Sequence, residues 1–151
     1  MAGGLTVEAS KIPELTKFLN KILKDEVIEA RKNLSLKIDA LIAPSAANQS
    51  LIKRIEDVGP YGAGNPQPLF AFSDLRIAYA QRVRGGHVRC SFEDGLGGRI
   101  NGICFRADET GLDQILLDPN APRFHVAGRL KADSWKGRSK IDLQLVDLAI
   151  A

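Results

Sequence analysis

The 151-residue chain is poor in the residues that build covalent or metal frameworks. It has two cysteines, Cys90 and Cys104, and two histidines, His87 and His125. Two cysteines are too few for a disulfide-stapled fold or a thiolate zinc site. Both lie in alternating apolar runs, so buried free thiols in a reducing, cytoplasmic setting are expected. Each histidine stands apart from any carboxylate or second histidine at ligand spacing, which argues against a metal or acid–base centre built by this chain. His125 reads as an exposed strand residue. No apolar run is long enough to cross a bilayer, and the first residues lack the charged start, apolar stretch and cleavage site of an export signal. The glycine-rich turns are not followed by the Gly-Lys-Ser/Thr of a phosphate loop. Aromatics make up 6% of the chain, with a single tryptophan, Trp135, so few base-stacking platforms are on offer.

What the chain does have is an uneven distribution of positive charge. Net charge is only +3, yet residues 1–68 carry seven lysines and two arginines, whereas residues 69–151 carry nine arginines and three lysines. Arginine forks onto phosphates and stacks on bases better than lysine does. Residues 75–92 hold Arg76, Arg82, Arg84 and Arg89 and no acid. Residues 129–140 hold Arg129, Lys131, Lys136, Arg138 and Lys140 against Asp133 alone.

Periodicity divides the chain. Ser10 is an expected helix cap, and Pro13 falls in a first turn, where proline is tolerated. Ile12, Leu15, Phe18, Leu19, Ile22 and Leu23 follow at helical spacing, fading near Asn33. Leu34, Leu36, Ile38 and Ala40 alternate as a half-buried strand. Leu51, Ile52 and Ile55 mark a second helix that stops before Gly59. This α/β piece has little to bury its faces against. Beyond it the pattern is strand, strand, strand, helix, strand, strand. The strands are centred on Leu75–Val83, Val88–Phe92, Arg99–Phe105 (with Gly102 read as a bulge), Phe124–Lys131 and Ile141–Leu145, with a helix from Asp108 to Leu117. Phe92, Phe105 and Phe124 read as core. Three strands, a helix and two strands is the chain order of an OB-fold, a five-stranded Greek-key barrel with one helix between strands three and four. The fold class expected is therefore an α+β fragment followed by an all-β OB-fold. In such barrels the first-to-second and fourth-to-fifth strand connections flank the binding face. Those connections coincide with the two basic clusters. Arg82, Arg84, Arg89, Arg129, Trp135, Lys136, Arg138 and Lys140 are accordingly the candidate nucleic-acid-binding residues. Trp135 has two readings, a base-stacking platform or a lid on the barrel core.

Between the two parts lies Gly59-Pro60-Tyr61-Gly62-Ala63-Gly64-Asn65-Pro66-Gln67-Pro68, ten residues with three glycines and three prolines. Alternating fixed and left-handed φ preferences make a shaped connector, neither helix nor central strand. With Leu69-Phe70, the string resembles the Gly-Pro-Phe-Gly-x-Gly-Asn-Pro-x-Pro-x-Phe signature of the RecJ family of single-strand-specific 5′→3′ DNA exonucleases, with Tyr61 where that family usually has Phe. Ala2-Gly3-Gly4-Leu5-Thr6-Val7 is similar to the continuation past the Gly-Gly-His motif of DHHA1 domains. Val126-Ala127-Gly128-Arg129-Leu130, Trp135-Lys136-Gly137 and Leu143-Gln144-Leu145-Val146-Asp147 resemble the family's C-terminal ending.

The resemblance implies three parts: residues 1–58 as the end of a DHHA1-like domain, 59–68 as a rigid elbow, and 69–151 as the OB-fold. It implies a parent enzyme that hydrolyses single-stranded DNA with divalent Mg or Mn held by an upstream Asp-His-His domain, in DNA repair and recombination. This chain itself is read as non-catalytic, with no cofactor of its own. Its expected partners are single-stranded DNA, the upstream catalytic domain, and single-strand-binding protein or a helicase, with no membrane. Two rival readings remain: a structural or protein-interaction barrel, since fold does not decide function, and an RNA-binding one. The missing ligand set gives a direct expectation. The purified chain should leave an end-labelled single-stranded oligonucleotide intact with Mg²⁺ or Mn²⁺. Loss of label that persists at stoichiometric protein through repurification would contradict it.

Overall fold

The computed structural model describes residues 4–32, 35–133 and 140–151. They divide into two compact units, one ending at Leu36 and the other beginning at Lys37. The first unit is essentially one helix, α1 (Ile12–Lys32), entered through a 3₁₀ turn at Ala9–Lys11. Ser10 lies inside that turn and does not cap the helix. The extended residue Glu8 precedes the turn and makes no side-chain cap bond. Pro13 has no N–H, so the first turn has one donor fewer to satisfy. Ile12, Phe18, Leu19, Ile22 and Leu23 are all exposed.

The second unit starts with material that the sequence grouped with the helix. Of the strand expected from Leu34 to Ala40, the described residues from 35 on form only β1 (Ala40–Leu41), which runs parallel to the start of the first barrel strand. Leu36 and Ile38 stay exposed, because only the end of the segment meets a sheet edge. There Asp39 N–H donates to Leu69 O (2.9 Å), and Leu69 N–H donates to the Asp39 carboxylate (2.8 Å). Helix α2 (Gln49–Asp57) is capped by Asn48, whose Oδ1 accepts from Leu51 N–H at 3.1 Å. Its Ile52 and Ile55 are buried in the same core as the barrel residues. The Gly/Pro string then folds tightly. Gly62 and Asn65 exchange backbone hydrogen bonds, Asn65 Nδ2 donates to Pro60 O (3.2 Å), and the Tyr61 hydroxyl donates to Ile55 O. Tyr61 packs against the core, and Gln67 Nε2 reaches Leu130 O at 3.1 Å. The string is a shaped turn that ties α2 to the barrel wall.

The barrel consists of β2 (Phe70–Val83), β3 (His87–Glu93), β4 (Arg99–Cys104), β5 (Phe124–Asp133) and β6 (Lys140–Ile150). The strand order is β2-β3-β4-β6-β5, and β5 pairs back onto β2 to close it. This is the expected five-stranded OB barrel, filled by Phe72, Leu75, Val88, Phe92, Val126, Leu130 and Leu143. Cys90 and Cys104 are buried free thiols. Burial pushes the Cys90 thiol up to about 12. The single helix expected between strands three and four is split into α3 (Ala107–Thr110) and α4 (Leu112–Leu116) by Gly111, at φ 76°. Gly102 is not a bulge. Its ladder with β3 is unbroken, and a Cβ there would lie 2.9 Å from Leu143 O, so glycine lets β6 come close.

Two departures from regularity in β2 matter for the surface. The ladder with β5 slips between Phe72 and Leu75, and the ladder with β3 slips between Ile77 and Tyr79. Asp74, in the first bulge, has φ 54°, and Arg106, just after β4, has φ 48°. They are the two described non-glycine residues in the left-handed region, and each donates its backbone N–H to a histidine. Asp74 N–H meets His125 Nδ1 at 3.3 Å, and Arg106 N–H meets His87 Nδ1 at 2.9 Å. Asp74 is also held by Arg123, Nε to Oδ1 at 2.5 Å. The exposed strand residue His125 thus pins a bulge. His87→Ala and His125→Ala should each lower stability by about 0.5–1.5 kcal/mol, the net worth of one hydrogen bond. His→Asn keeps an acceptor at the δ position and should recover most of the loss in chemical melts. Equal losses for Ala and Asn at both sites would show that the rings act only by packing.

A candidate nucleic-acid interface on the outer barrel face

On β3, Val88, Cys90 and Phe92 are buried in the barrel, so Arg89 and Ser91 between them stand on its outer side. Ladder partners share a face, and the registers carry this side around the wall. Arg89 pairs with Gln81 on β2 and Ile103 on β4, Ile103 with Gln144 on β6, and Gln144 with Arg129 on β5. The next row runs Tyr79, Ser91, Asn101, Asp142, Lys131. Arg89 and Arg129, far apart in sequence, therefore share one transverse row. With three strand steps between them, they are separated by about 14 Å along the sheet. Neither has a carboxylate partner among the described residues, and the same holds for Arg84, exposed in the β2–β3 turn. Lys140, exposed, pairs in register with Asp133 at the far end of β5–β6.

Arg82 does not join this row. The slip at Ile77/Tyr79 reverses the phase of β2, so Ala80 and Arg82 pair with the inward residues Cys90 and Val88. Tyr79 and Gln81 turn outward instead. Arg82 reaches α4, where its Nη2 donates to the buried Asp113 carboxylate at 2.7 Å. Arg76 and Arg99 both bridge Glu93. Trp135, Lys136 and Arg138 lie outside the described residues.

The same phase reversal exposes Tyr79, which strict alternation from Leu75 and Ile77 would turn inward. Tyr79 is 51% exposed, with its hydroxyl donating to Gln81 Oε1. Phe105, expected in the core, is 47% exposed. Its ring meets the His87 ring edge-on at a centroid distance of 5.1 Å. The signal for Phe105 was in the sequence. With Ile100, Gly102 and Cys104 inward, the next odd position has to face out. For Tyr79 no local signal existed, because the bulge is fixed by pairing. Opposite Tyr79, the Ser91 hydroxyl is buried without a hydrogen-bond partner among the described residues.

The divalent metal implied for the parent enzyme has no matching donor set here: among the described residues no three His, Cys, Asp or Glu side chains converge. Nor is any described helix long and apolar enough to cross a membrane.

Comparison with known proteins places this geometry. The model of the RecJ OB domain matches residues 38–147. The chain is 21% identical over its whole length to the single-stranded-DNA-specific exonuclease RecJ of Bacillus subtilis strain 168, and 22% identical over 98% of its length to that of Salmonella typhimurium LT2. It spans 19% and 25% of those relatives. A crystal structure of RecJ from Thermus thermophilus in complex with Mn²⁺ superimposes with a TM-score of 0.55 at 22% identity, over 89% of this chain and 20% of that one. That likeness supports the barrel fold, and the family model covers the β1–α2 segment together with the barrel. The chain belongs to the family of RecJ OB domains.

Proposed function

We propose that the barrel binds single-stranded DNA and holds the strand for the catalytic domain of a RecJ-type 5′→3′ exonuclease. The observation that carries this reading is that Arg84 and Arg89, at the β2–β3 end of the wall, and Arg129 on the same ladder row further round it, stand on the outer side of an OB barrel without carboxylate partners among the described residues. Phosphates need such cations, and the strand connections of this fold frame the face. On this reading the parent is a divalent-metal hydrolase of DNA repair and recombination in the cytoplasm. Its metal would sit in an upstream Asp-His-His domain, and, of the residues 1–58 expected to end a DHHA1 domain, the part before Lys37 would belong to it. Lys140, exposed at the start of β6, is a further candidate contact in the proposal, and Trp135, Lys136 and Arg138 remain candidates on the sequence alone. The names of the relatives, single-stranded-DNA-specific exonucleases, support the choice of ligand.

A second reading, docking of a protein such as single-strand-binding protein or a helicase, is favoured by one feature. At another part of the surface Leu96 is 96% exposed and Leu41 66% exposed, both lining a cleft of 580 Å³ with Pro44 and Asp74. Exposed apolar side chains gathered into one patch, rather than scattered singly, mark contact sites.

Titration of a fluorescent oligothymidylate at several salt concentrations separates the two. The wild-type chain should bind at low salt and weaken as salt rises. The triple variant Arg84→Ser, Arg89→Ser, Arg129→Ser should flatten the log–log slope by about 2, at about 0.7 per lost phosphate contact. Arg82→Ser should leave the slope unchanged but lower the melting temperature, because it strands the Asp113 carboxylate. That loss should be on the order of 1 kcal/mol, given that the arginine is half exposed. A wild-type chain that binds no oligonucleotide at low salt would leave the docking reading in possession.

A further inference from the structure

We propose that Tyr79, Arg89 and Phe105 form a diagonal track on the outer face, in which the two rings each take an unstacked nucleobase and the guanidinium takes the phosphate between them. The inference rests on the strand-binding reading and adds to it the groups that would make binding depend on bases as well as charge.

The ladder fixes the geometry. Arg89 lies two residues from Ser91, the partner of Tyr79, and Phe105 lies two residues from Ile103, the partner of Arg89. The Tyr79-to-Arg89 step is one strand across and two residues along, a backbone diagonal of about 7–8 Å. Phe105, one residue past the last β4 pair, Val88 with Cys104, continues the line at the end of the ladder, so the backbones that carry the two rings stand roughly 15 Å apart with the arginine between them. A stacked strand advances about 3.4 Å per nucleotide. Inside a continuous stack both faces of every base are covered by neighbours, so neither ring would find a partner there. The track therefore fits an extended, unstacked strand and excludes a duplex.

Both rings are also held in place before any ligand arrives. The Tyr79 hydroxyl is tied to Gln81, and Phe105 is braced edge-on by His87. His87 in turn is fixed by the Arg106 N–H at 2.9 Å. A ring that does not need to be ordered on binding loses less entropy when a base lands on it. Arg89 is exposed and has no carboxylate partner among the described residues. Exposed aromatics also serve protein contacts. The unpaired cation midway between the rings is what favours a polyanion with planar groups over a peptide.

The test uses the full chain and two probes of equal length and charge, a fluorescent oligothymidylate and its abasic counterpart. Tyr79→Leu and Phe105→Leu keep apolar bulk but remove the ring, and Tyr79→Phe keeps the ring. Each Leu variant should weaken oligothymidylate binding roughly tenfold, whereas Tyr79→Phe, which keeps the ring and loses only the tie to Gln81, should lose much less. Wild type should prefer oligothymidylate to the abasic probe, and the double Leu variant should no longer tell them apart, with its salt slope intact. Melting curves identify any variant that is merely unfolded, and the comparison of the two probes on wild type needs no variant at all. Equal affinity of wild type for both probes, or Leu variants that bind like wild type, would overturn the track while leaving phosphate binding in place and the rings to a protein partner. Absence of binding to either probe at low salt would overturn the track together with the strand-binding reading beneath it.

Discussion

Between Ile77 and Tyr79 the pairing of β2 with β3 slips by one residue, and the outer face of the barrel is organised by that slip. Side chains on a strand alternate with period two, so one extra residue sends every later side chain to the opposite face. After the first bulge the strand turns Leu75 and Ile77 inward, and after the slip it turns the half-buried Ala80 inward and sends Tyr79 and Gln81 outward. Had the ladder run straight, Arg82 would have stood beside Arg89, and Tyr79 would have been driven into a core already occupied by Phe92 and Leu75. The small residues Ala78 and Ala80 flank the reversal, so neither face has to find room for a large side chain at the bend. The slip also brings Arg82 to Asp113 on α4, which ties the helical connection to the wall.

Closure of the barrel imposes a second constraint that bears on the same face. Strand β6 has to slot between β4 and β5, and on both sides it comes closer than a side chain allows. A Cβ on Gly102 would lie 2.9 Å from Leu143 O, and one on Gly128 would lie 2.6 Å from Gln144 O and 2.7 Å from Leu143 Cδ1. Leu143 is fully buried between the two glycines. Without that approach the parallel pairing of β4 with β6 would open. The row from Arg89 to Arg129 would then break at Ile103–Gln144. The outer row is continuous because the inner side chains at its centre were given up.

How far the sequence could be read follows from which contacts are local. The Gly/Pro string with Tyr61 was legible because each of its residues restricts its own backbone. The strand order was legible because alternation is a property of one segment at a time. The register slips were not, since a bulge is decided by what the partner strand offers. The apolar pair Ile52 and Ile55 showed that α2 is amphipathic, but not that its buried face would meet the barrel core. The break between the two compact units thus falls at Leu36 and Lys37, ahead of the proline-rich string that composition makes conspicuous. Phe105 was legible in principle. Parity along β4 places it outside, but an aromatic at a strand end invites assignment to the core.

Arginine enrichment in the second half drew attention to nucleic acid, yet composition alone is a poor guide to which arginines are available. Of the nine, Arg76 and Arg99 sit on Glu93, Arg82 on Asp113, Arg123 on Asp74, and Arg106 faces Glu109 at 3.8 Å. Five are engaged with carboxylates. Arg138 falls outside the described residues, and Arg84, Arg89 and Arg129 are left without such partners among those described. Three of the engaged arginines serve corners, a bulge, a helix connection and a turn after β4, and Arg76 and Arg99 flank Glu93 in register across β2, β3 and β4. Arg89 and Arg129 stand on the smooth middle of the outer face, where no turn or cap requires them, and Arg84 stands in the turn that borders it. A cation that the fold does not use for its own closure costs stability through repulsion from its neighbours unless an external anion meets it. It is this sorting, set by the ladder registers rather than by the number of arginines, that leaves Arg84, Arg89 and Arg129 on the outer side of the wall without carboxylate partners among the described residues.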